Sequence, residues 1–247
     1  MALSLLQNLK PKPDAARARE NYRQLAAGYE GSCARIEPLR LHAVRELALR
    51  PGETVFDIAC GTGATLPMLA SAVGPSGTTV GVELSPEMAE QAQRRINALN
   101  CGARLRLDCC AVEDFRPAEQ ADALLLCYTH DVLQSPAALD RLIESARPGA
   151  RIVVLGMKTL PWPWGWPVNL FNLYRARRYM TTYTNIWRPW RLLEERGAAL
   201  REVHTALWGS AYIATGTLPP GPTRQPAAAC PLSSSTPSTA FNHHPWN

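Results

Sequence analysis

The stretch Val55-Phe56-Asp57-Ile58-Ala59-Cys60-Gly61-Thr62-Gly63 decides the fold. An apolar run of strand length passes directly into a turn that contains two glycines. Because glycine accepts positive φ and has no Cβ, Gly61 and Gly63 let a ligand pack against the main chain beside the N-terminus of the following helix. The stretch therefore predicts a buried strand that ends at a ligand-binding turn.

Strand-like and helix-like segments alternate on both sides of this turn. The pattern predicts strands over 54–59, 78–83, 104–110, 121–129 and 151–157, and helices over 64–73, from Ser85-Pro86 onward and over 136–146. Parallel strands need a crossover of helix length, so the alternation predicts an α/β, Rossmann-like, doubly wound and mostly parallel sheet. Residues 200–207 and 210–215 predict a C-terminal antiparallel hairpin, which brings the sheet to seven strands. Ligands are expected at the carboxyl ends of the strands.

An acidic residue supports a nucleoside site at the glycine turn. Glu83 ends the second strand, and a carboxylate there can accept hydrogen bonds from both hydroxyls of a ribose. Leu66 occupies the place of the third small residue of a dinucleotide fingerprint, which argues against NAD and FAD. No GxxxxGK[ST] stretch is present, so nucleoside triphosphates lack their phosphate cradle. These observations favour a nucleoside without phosphates.

Four segments resemble the class I S-adenosylmethionine (SAM) methyltransferases in sequence, order and spacing. They are AspIleAlaCysGlyThrGly (57–63), GlyValGluLeuSerProGluMet (81–88), AlaValGluAspPhe (111–115) and ArgProGlyAlaArgIleValValLeu (147–155). The resemblance covers roughly Tyr22 to Gly216 and is closest to the small-molecule branch typified by ubiquinone and menaquinone C-methyltransferases. It implies SAM as the cofactor and a methyl transfer as the reaction.

The resemblance also implies roles for individual residues around the cofactor. Asp57 would organise the loop and the methionine amino group, Gly61 and Gly63 would form the close turn, and Glu83 would bind the ribose. Leu84 and Met88 would flank the adenine. Because Ala111 stands where the family often has an acidic or amide side chain, the adenine edge would be met by backbone, Glu113 or Asp114. The remaining cofactor contacts are expected from Cys127 and from Tyr29, a tyrosine that would close over the methionine end.

The acceptor is expected beyond the fourth strand, where Cys127-Tyr128-Thr129-His130-Asp131 passes from apolar to polar residues. His130 is the candidate base, because an imidazole takes up a proton near neutral pH. Asp131 would orient it or bind a cation, and Tyr128 would contact the acceptor. The alternative is that His130 only hydrogen-bonds a loop carbonyl. No AspProProTyr-like stretch follows the strand, and the paired glutamates of arginine methylation are absent, which leaves small acceptors.

The segment 160–191 is rich in aromatic residues and arginine. It contains five arginines and no acidic residue, which matches the formal net charge of +5 of the whole chain. We predict that it is a substrate lid, in which Tyr183 and Trp187 contact the acceptor and the arginines meet an anionic group or a membrane surface. Two alternatives remain open: the tryptophans bury against the sheet, or the segment contacts a membrane peripherally.

Composition limits the other classes of protein. The chain has 247 residues, 46% of them hydrophobic and 19% charged, and no run long enough to cross a bilayer. Its seven cysteines form no CxxC pair, so we expect reduced cysteines, a cytoplasmic protein and no metal site. Residues 1–217 are predicted to form one domain, and the Pro/Ser-rich residues 218–247 a disordered tail.

The predicted function is methyl transfer from SAM to a small hydrophobic or aromatic acceptor, lipid-like or quinone-like in character. Nucleic acid is not expected as a partner because no recognisable reading module is present. A SAM-binding scaffold without catalysis is the rival hypothesis, and a dinucleotide oxidoreductase is the third. The acceptor, the atom that is methylated and the oligomeric state stay open.

Overall fold

The computed structural model describes residues 12–25, 36–99 and 102–219. Two helices come first, α1 (Ala15–Leu25) and α2 (Glu37–Glu46). The alternating region follows, with β1 (Thr54–Ile58), α3 (Leu66–Val73), β2 (Thr78–Glu83), α4 (Pro86–Ala98), β3 (Arg104–Cys109), β4 (Ala121–Cys127), α5 (His130–Leu133), α6 (Pro136–Glu144) and β5 (Ala146–Met157). The last described elements are α7 (Trp166–Ala176), α8 (Arg191–Glu194), β6 (Ala199–Ala206) and β7 (Ala211–Thr217).

The strands form one sheet in the order β3-β2-β1-β4-β5-β7-β6. Strands β1 to β5 pair in parallel, while β7 runs antiparallel to both β5 and β6. The predicted Rossmann-like sheet with its C-terminal antiparallel hairpin is confirmed. The strand order reverses between β1 and β4, and the carboxyl ends of these two neighbours border the crevice where α/β sheets bind ligands.

The sheet is covered on both faces, which explains why β1 is apolar almost throughout. All five residues of β1 are buried. On one face Phe56 packs edge-on against Phe115 with ring centroids 5.1 Å apart, and on the other Val55 joins Leu69 and Val44. Continuous burial of this kind is typical of parallel strands between helical layers. It holds the glycine turn at the end of β1 on a rigid support.

Two helices after the strands begin as their sequences predict. The Ser85 hydroxyl accepts from the N–H of Met88 at 3.4 Å, and Ser135 accepts from Ala138 at 3.3 Å; a proline follows each serine. These N-caps satisfy backbone donors that the first turn leaves free. They direct α4 and α6 back along the sheet from its ligand-binding edge.

Most boundaries lie within two residues of the sequence prediction, and three differences bear on the site or on the end of the domain. β4 ends at Cys127 and His130 begins α5, so the predicted polar loop is largely a helical turn. β5 starts at Ala146, with an irregular register opposite Ala121. Leu218 is buried and its N–H donates to the carbonyl of Ala150 at 2.8 Å. Residues 220–247 of the predicted tail lie outside the described residues.

The segment between β5 and β6 carries α7 and α8 and forms one side of the crevice. α7 has no buried residue, in contrast to α3, α4 and α6. Within the described ranges, none of the helices has both the length and the apolar character needed to cross a membrane.

Candidate active site

Two cavities of about 430 Å³ each open at the carboxyl ends of the strands. The glycine-loop cavity is bounded by the turn after β1, the end of β2 and the segment after β3, through Ala59, Gly61, Val82, Glu83, Leu84, Ala111, Val112 and Glu113. The insertion cavity is bounded by β5 and α7, through Leu155, Gly156, Phe171, Asn172, Leu173, Arg175 and Ala176. Each cavity is large enough to hold a small molecule.

The two cavities share one wall. Its residues line both spaces and come from α1, from the turn after β4 with the start of α5, and from the segment after α7: Tyr22, Tyr128, Thr129, His130, Tyr179 and Met180. The rings of Tyr22 and Tyr179 approach to 6.4 Å between centroids. A molecule in one cavity therefore lies next to a molecule in the other, separated only by these side chains.

Gly61 and Glu83 together shape the glycine-loop cavity. Gly61 has φ of 58°, a conformation that favours glycine, and its N–H donates to Oε2 of Glu83 at 2.8 Å. Oε1 of Glu83 accepts from the N–H of Ser85 at 2.8 Å. Burial raises the pKa of Glu83, while the backbone donors oppose that rise. The carboxylate is thus fixed at the cavity wall, in the place where the sequence predicts a ribose-binding acid.

Gly63 lies in the predicted turn with φ of 74° and packs against the neighbouring helices. A Cβ at Gly63 would lie 2.9 Å from Cδ1 of Leu66 and 3.0 Å from Cβ of Ala92. Gly63 does not line either cavity. Its lack of a side chain lets the turn pack against α3 and α4, so it supports the turn without facing the ligand.

Two further residues lie away from the positions that the resemblance implies. Asp57 is buried, does not line either cavity, and accepts a hydrogen bond from the Thr65 hydroxyl. Burial raises its pKa to about 7, although Thr65 and Arg40 act in the opposite direction. Met88 is fully buried and also does not line a cavity. Asp57 acts on the loop from behind, and Met88 packs in the core.

The other predicted cofactor residues divide into three groups. Leu84, Glu113 and Cys127 line the glycine-loop cavity. Glu113 accepts from the Ser135 hydroxyl at 2.6 Å, and burial raises the pKa of the Cys127 thiol, which keeps it protonated. Tyr29 lies outside the described residues. Tyr22, from the same N-terminal region, stands in the shared wall.

His130 presents an acceptor nitrogen in the shared wall. Its ring donates to the backbone carbonyl of Thr184, a contact that raises its pKa, but burial has the larger effect and lowers the pKa to about 4. Nε2 is buried without a hydrogen-bond partner among the described residues, so the donating atom is Nδ1. The imidazole is therefore neutral near pH 7, with Nε2 as its acceptor nitrogen.

Asp131 joins three parts of the chain instead of orienting His130. Its carboxylate accepts from the N–H of Thr181 at 2.9 Å, from the Thr181 hydroxyl at 2.6 Å and from the N–H of Thr182 at 3.4 Å. The same hydroxyl accepts from the N–H of Asp14 at 2.9 Å. Burial raises the pKa of Asp131, against the effect of these donors. The geometry makes Asp131 a positioning residue.

Of the three residues predicted to contact the acceptor, one lines the cavities and two do not. Tyr128 lines both cavities, but Tyr183 and Trp187 line neither. The hydroxyl of Tyr183 donates to the carbonyl of Leu173 at 3.4 Å, and Trp187 is exposed. Phe171, Arg175 and Tyr179 belong to the predicted lid and line the insertion cavity, whereas sequence reasoning missed Asn172, Leu173 and Met180. Helical spacing from Asn169 onward would have identified the inner face of α7, had the helix been recognised.

The two cavities differ in charge. The glycine-loop cavity is lined by four carboxylates and one lysine: Asp14, Glu83, Glu113, Asp131 and Lys12. The described lining of the insertion cavity contains no acidic residue and includes Lys158 and Arg175. Lys158 pairs with Glu202, whereas Arg175 makes no ion pair with any described residue and stands 5.8 Å over the ring of Phe171. The first cavity suits a cation, and the second suits a neutral or anionic molecule with an apolar body.

A metal centre finds no support in the part of the chain that the structure describes, where no cluster of three His, Cys, Asp or Glu side chains could hold an ion.

Comparison with known proteins agrees with this geometry. Residues 55–149 match the family described as "Methyltransferase domain". The chain is 26% identical over 152 residues to a demethylmenaquinone methyltransferase from Symbiobacterium thermophilum, covering 59% of this chain and 61% of that protein. It is 36% identical over 118 residues to a ubiquinone/menaquinone biosynthesis C-methyltransferase from Syntrophotalea carbinolica, covering 47% and 48%. The chain thus spans half to three-fifths of the length of these curated relatives.

A solved structure shares the fold. An O-methyltransferase family protein from Burkholderia thailandensis superposes with a TM-score of 0.64 at 18% identity, over 88% of this chain and 67% of that one. At this identity the similarity supports the architecture alone. Together with the match over β1 to β5, it leads to one conclusion. Residues 55–149 are similar in sequence to methyltransferase domains, and the relatives they resemble include quinone C-methyltransferases.

Proposed function

We propose that this chain transfers a methyl group from SAM, bound in the glycine-loop cavity, to a small apolar acceptor bound in the insertion cavity. The observation that carries the proposal is the shared wall, which brings two ligand-sized spaces of opposite charge together around the unpartnered Nε2 of His130. Positioning two reactants side by side supplies much of the rate enhancement that such a transfer needs.

The glycine-loop cavity fits SAM on the chemistry of its lining. Glu83 would hold the ribose, the backbone at Gly61 would lie against the nucleoside, and Leu84 with Val112 would flank the base. The surrounding carboxylates would favour the positively charged methionine part. When bound, SAM supplies an activated methyl group for in-line displacement.

The residues of this chain then position the acceptor and exclude water. Thr129 Oγ1, His130 Nε2 and Asn172 Nδ2 are buried without hydrogen-bond partners among the described residues, and all three residues line the insertion cavity. Buried polar atoms are normally paired. A hydroxyl of the acceptor could donate to His130 Nε2, and an oxygen of the acceptor could accept from Thr129 Oγ1 or Asn172 Nδ2. Neutral His130 would accept the proton of a hydroxyl or enol, and Arg175 would stabilise the resulting anion.

The acceptor class follows from the same lining. Phe171, Leu173, Leu155 and Met157 supply an apolar surface, and the buried polar atoms without partners belong to Thr129 and His130 of the shared wall and to Asn172 of α7. We infer a planar or elongated apolar molecule with one oxygen-bearing end, which includes quinone-like compounds. The demethylmenaquinone methyltransferase similarity favours this class. We further propose that residues 1–217 act as one catalytic domain in which 160–191 is the lid, and that the protein works in the cytoplasm.

Labelled-methyl transfer would test the proposed function. The full chain is incubated with SAM that carries a labelled methyl group and with phenolic, quinol and catechol acceptors, and the products are separated by mass. We expect label in at least one acceptor and production of S-adenosylhomocysteine. Retention of SAM binding without transfer to these acceptors or to any compound of a cell extract would favour the scaffold hypothesis.

A further inference from the structure

A group of large apolar side chains lies exposed on the insertion and on the turn between β6 and β7. Trp162, Trp164 and Trp208 are 78%, 89% and 90% exposed. We name the aromatic surface after its exposed members, which are Trp162, Trp164, Trp166, Leu170, Tyr174, Leu207 and Trp208. Proteins that work alone in water rarely expose so many large apolar side chains together, and such surfaces mark sites of interaction.

The two faces of α7 show which side of the helix is available. Asn172, Leu173 and Ala176 face the insertion cavity, and Asn169 on the same side bonds Leu160 through both of its amide atoms, at 2.8 and 2.9 Å. Trp166, Leu170 and Tyr174 recur at intervals of four residues on the outer side and are exposed. α7 therefore separates the cavity from an apolar face that no described residue buries.

Leu160 connects the two parts of the aromatic surface. It is bonded to α7 through Asn169, and its Cδ2 would lie 3.4 Å from a Cβ placed at Gly209. The N–H of Lys158 donates to the carbonyl of Ser210 at 2.8 Å. The turn that carries Trp208 thus packs beside the loop that carries Trp162 and Trp164, which makes the surface continuous.

The turn at Leu207 and Trp208 exposes both side chains while its backbone is in an unfavourable conformation. Both residues have positive φ, 49° and 62°, a conformation that is unfavourable for residues other than glycine. Backbone strain of this kind persists where it serves a function. Here it holds a leucine and a tryptophan out toward solvent.

Positive charge accompanies the apolar side chains. Arg175, Arg177 and Arg178 lie at the end of α7, and the segment 158–191 contains no acidic residue. The guanidinium of Arg177 stacks 4.1 Å over the ring of Tyr174. Tryptophan and tyrosine beside arginine suit the headgroup region of a bilayer, where aromatic rings are half-immersed and cations meet anionic lipids.

We propose that the chain docks peripherally on an anionic lipid bilayer through the aromatic surface. Phe171, Arg175 and Leu207 are exposed and also line the insertion cavity, so the mouth of that cavity opens beside the docking surface. If the proposed function holds, an apolar acceptor can pass from the bilayer to the cavity without crossing water. The docking itself does not depend on methyl transfer.

Vesicle flotation of the full chain without SAM tests the docking. We expect the protein to float with vesicles of phosphatidylcholine containing about a quarter phosphatidylglycerol, and the tryptophan emission to shift to shorter wavelength. The affinity of the variant W162S/W164S/W208S for these vesicles should fall by at least about tenfold, because the variant loses three large apolar contacts. Its melting temperature and its calorimetric affinity for S-adenosylhomocysteine should equal those of the parent, which separates failed docking from a failed cofactor site.

The charge contribution is tested with a matched pair of variants. R177Q/R178Q removes two positive charges beside the aromatic surface and should weaken binding to anionic vesicles roughly tenfold or more. R94Q/R106Q removes two exposed charges on α4 and β3, at the far side of the sheet order, and should bind as the parent does.

Three results would overturn the proposal. One is the absence of flotation with anionic vesicles, and another is equal flotation of the parent and W162S/W164S/W208S. The third is a dimer, measured by light scattering, that the tryptophan substitutions abolish while the parent ignores vesicles. That result would assign the surface to a second copy of this chain.

Discussion

The glycine-loop cavity and the insertion cavity are equal in volume but opposite in construction. The first is built on strand ends and backbone atoms, with buried carboxylates around it. The second is built on side chains of β5 and α7, is mostly apolar, and carries cations. The glycine-loop cavity therefore offers a ligand main-chain atoms and fixed carboxylates, whereas the insertion cavity offers it mostly the side chains of one segment. Substitutions that affect one cavity and spare the other test this division.

Substitution of Gly61 should have the largest effect, on the glycine-loop cavity alone. Gly61→Val places a branched side chain at the cavity wall in a residue with φ of 58°, and we expect the affinity for SAM to fall by more than about a hundredfold. Isothermal calorimetry measures this. Gly149→Val is the control, because Gly149 has φ of 74° with open space around its Cβ position and lies away from both cavities. If both variants lost SAM affinity equally, the loss would come from backbone strain and not from a side chain in the glycine-loop cavity.

Substitution of His130 should affect the reaction and spare cofactor binding. His130→Ala removes the unpartnered nitrogen of the shared wall, so we expect turnover to fall roughly a hundredfold or more while SAM affinity changes less than about threefold. His42→Ala is the control, since His42 contacts Glu46 and His204 and lines neither cavity. Unchanged turnover would leave His130 with its hydrogen bond to Thr184 as its sole role.

The pH dependence of turnover should show the burial of His130. With its pKa lowered from 6.5 to about 4, the imidazole keeps its acceptor nitrogen until the pH falls through about 4. At saturating SAM and acceptor, the turnover number should therefore show no inflection near pH 6.5. An inflection there, absent from His130→Ala, would indicate that the ring is solvated in the working enzyme.

Substitution of Arg175 should act on the insertion cavity alone. Arg175→Gln removes a cation without a described acidic partner, and we expect the KM of an acidic acceptor to rise roughly fivefold at unchanged SAM affinity. Arg191→Gln, which removes an exposed arginine paired with Glu195, should leave both values unchanged. If Arg175→Gln also weakened SAM binding, ligand binding in the two cavities would be energetically coupled.

Asp57 gives the smallest effect, on stability. Its pKa is raised from 3.8 to about 7, so the folded state holds the proton more firmly than the unfolded chain. The stability contributed by protonated Asp57 is full below about pH 4 and is lost as the pH rises through 7. Asp57→Asn lacks this dependence, so its melting temperature relative to the parent should rise by a few degrees between pH 5 and pH 8. A difference that does not change with pH would contradict the buried state of the carboxyl group.

The sequence predicted the half of the site that depends on local chain geometry. The turn at Gly61 and the position of Glu83 can be predicted because strand ends and glycine spacing are local sequence patterns. The insertion was predicted as a lid, but Tyr183 and Trp187 were chosen because they are aromatic, and only the tertiary path of the chain shows that neither lines a cavity. Met88 and Gly63 show a related effect, since both belong to the predicted ligand motifs, line neither cavity and pack against neighbouring residues.

The carboxylate of Asp131 has a consequence for how this protein can change. It fastens the region before α1, the start of α5 and the segment after α7, which are distant in sequence, through Thr181, Thr182 and Asp14. None of the side chains that give the insertion cavity its shape on α7 takes part in that fastening. One set of residues thus holds the distant segments together, and a different set on α7 determines which acceptor fits the insertion cavity. Substitution of Leu173 or Ala176 can therefore adapt the insertion cavity to a new acceptor, while the hydrogen bonds of Asp131 stay unchanged.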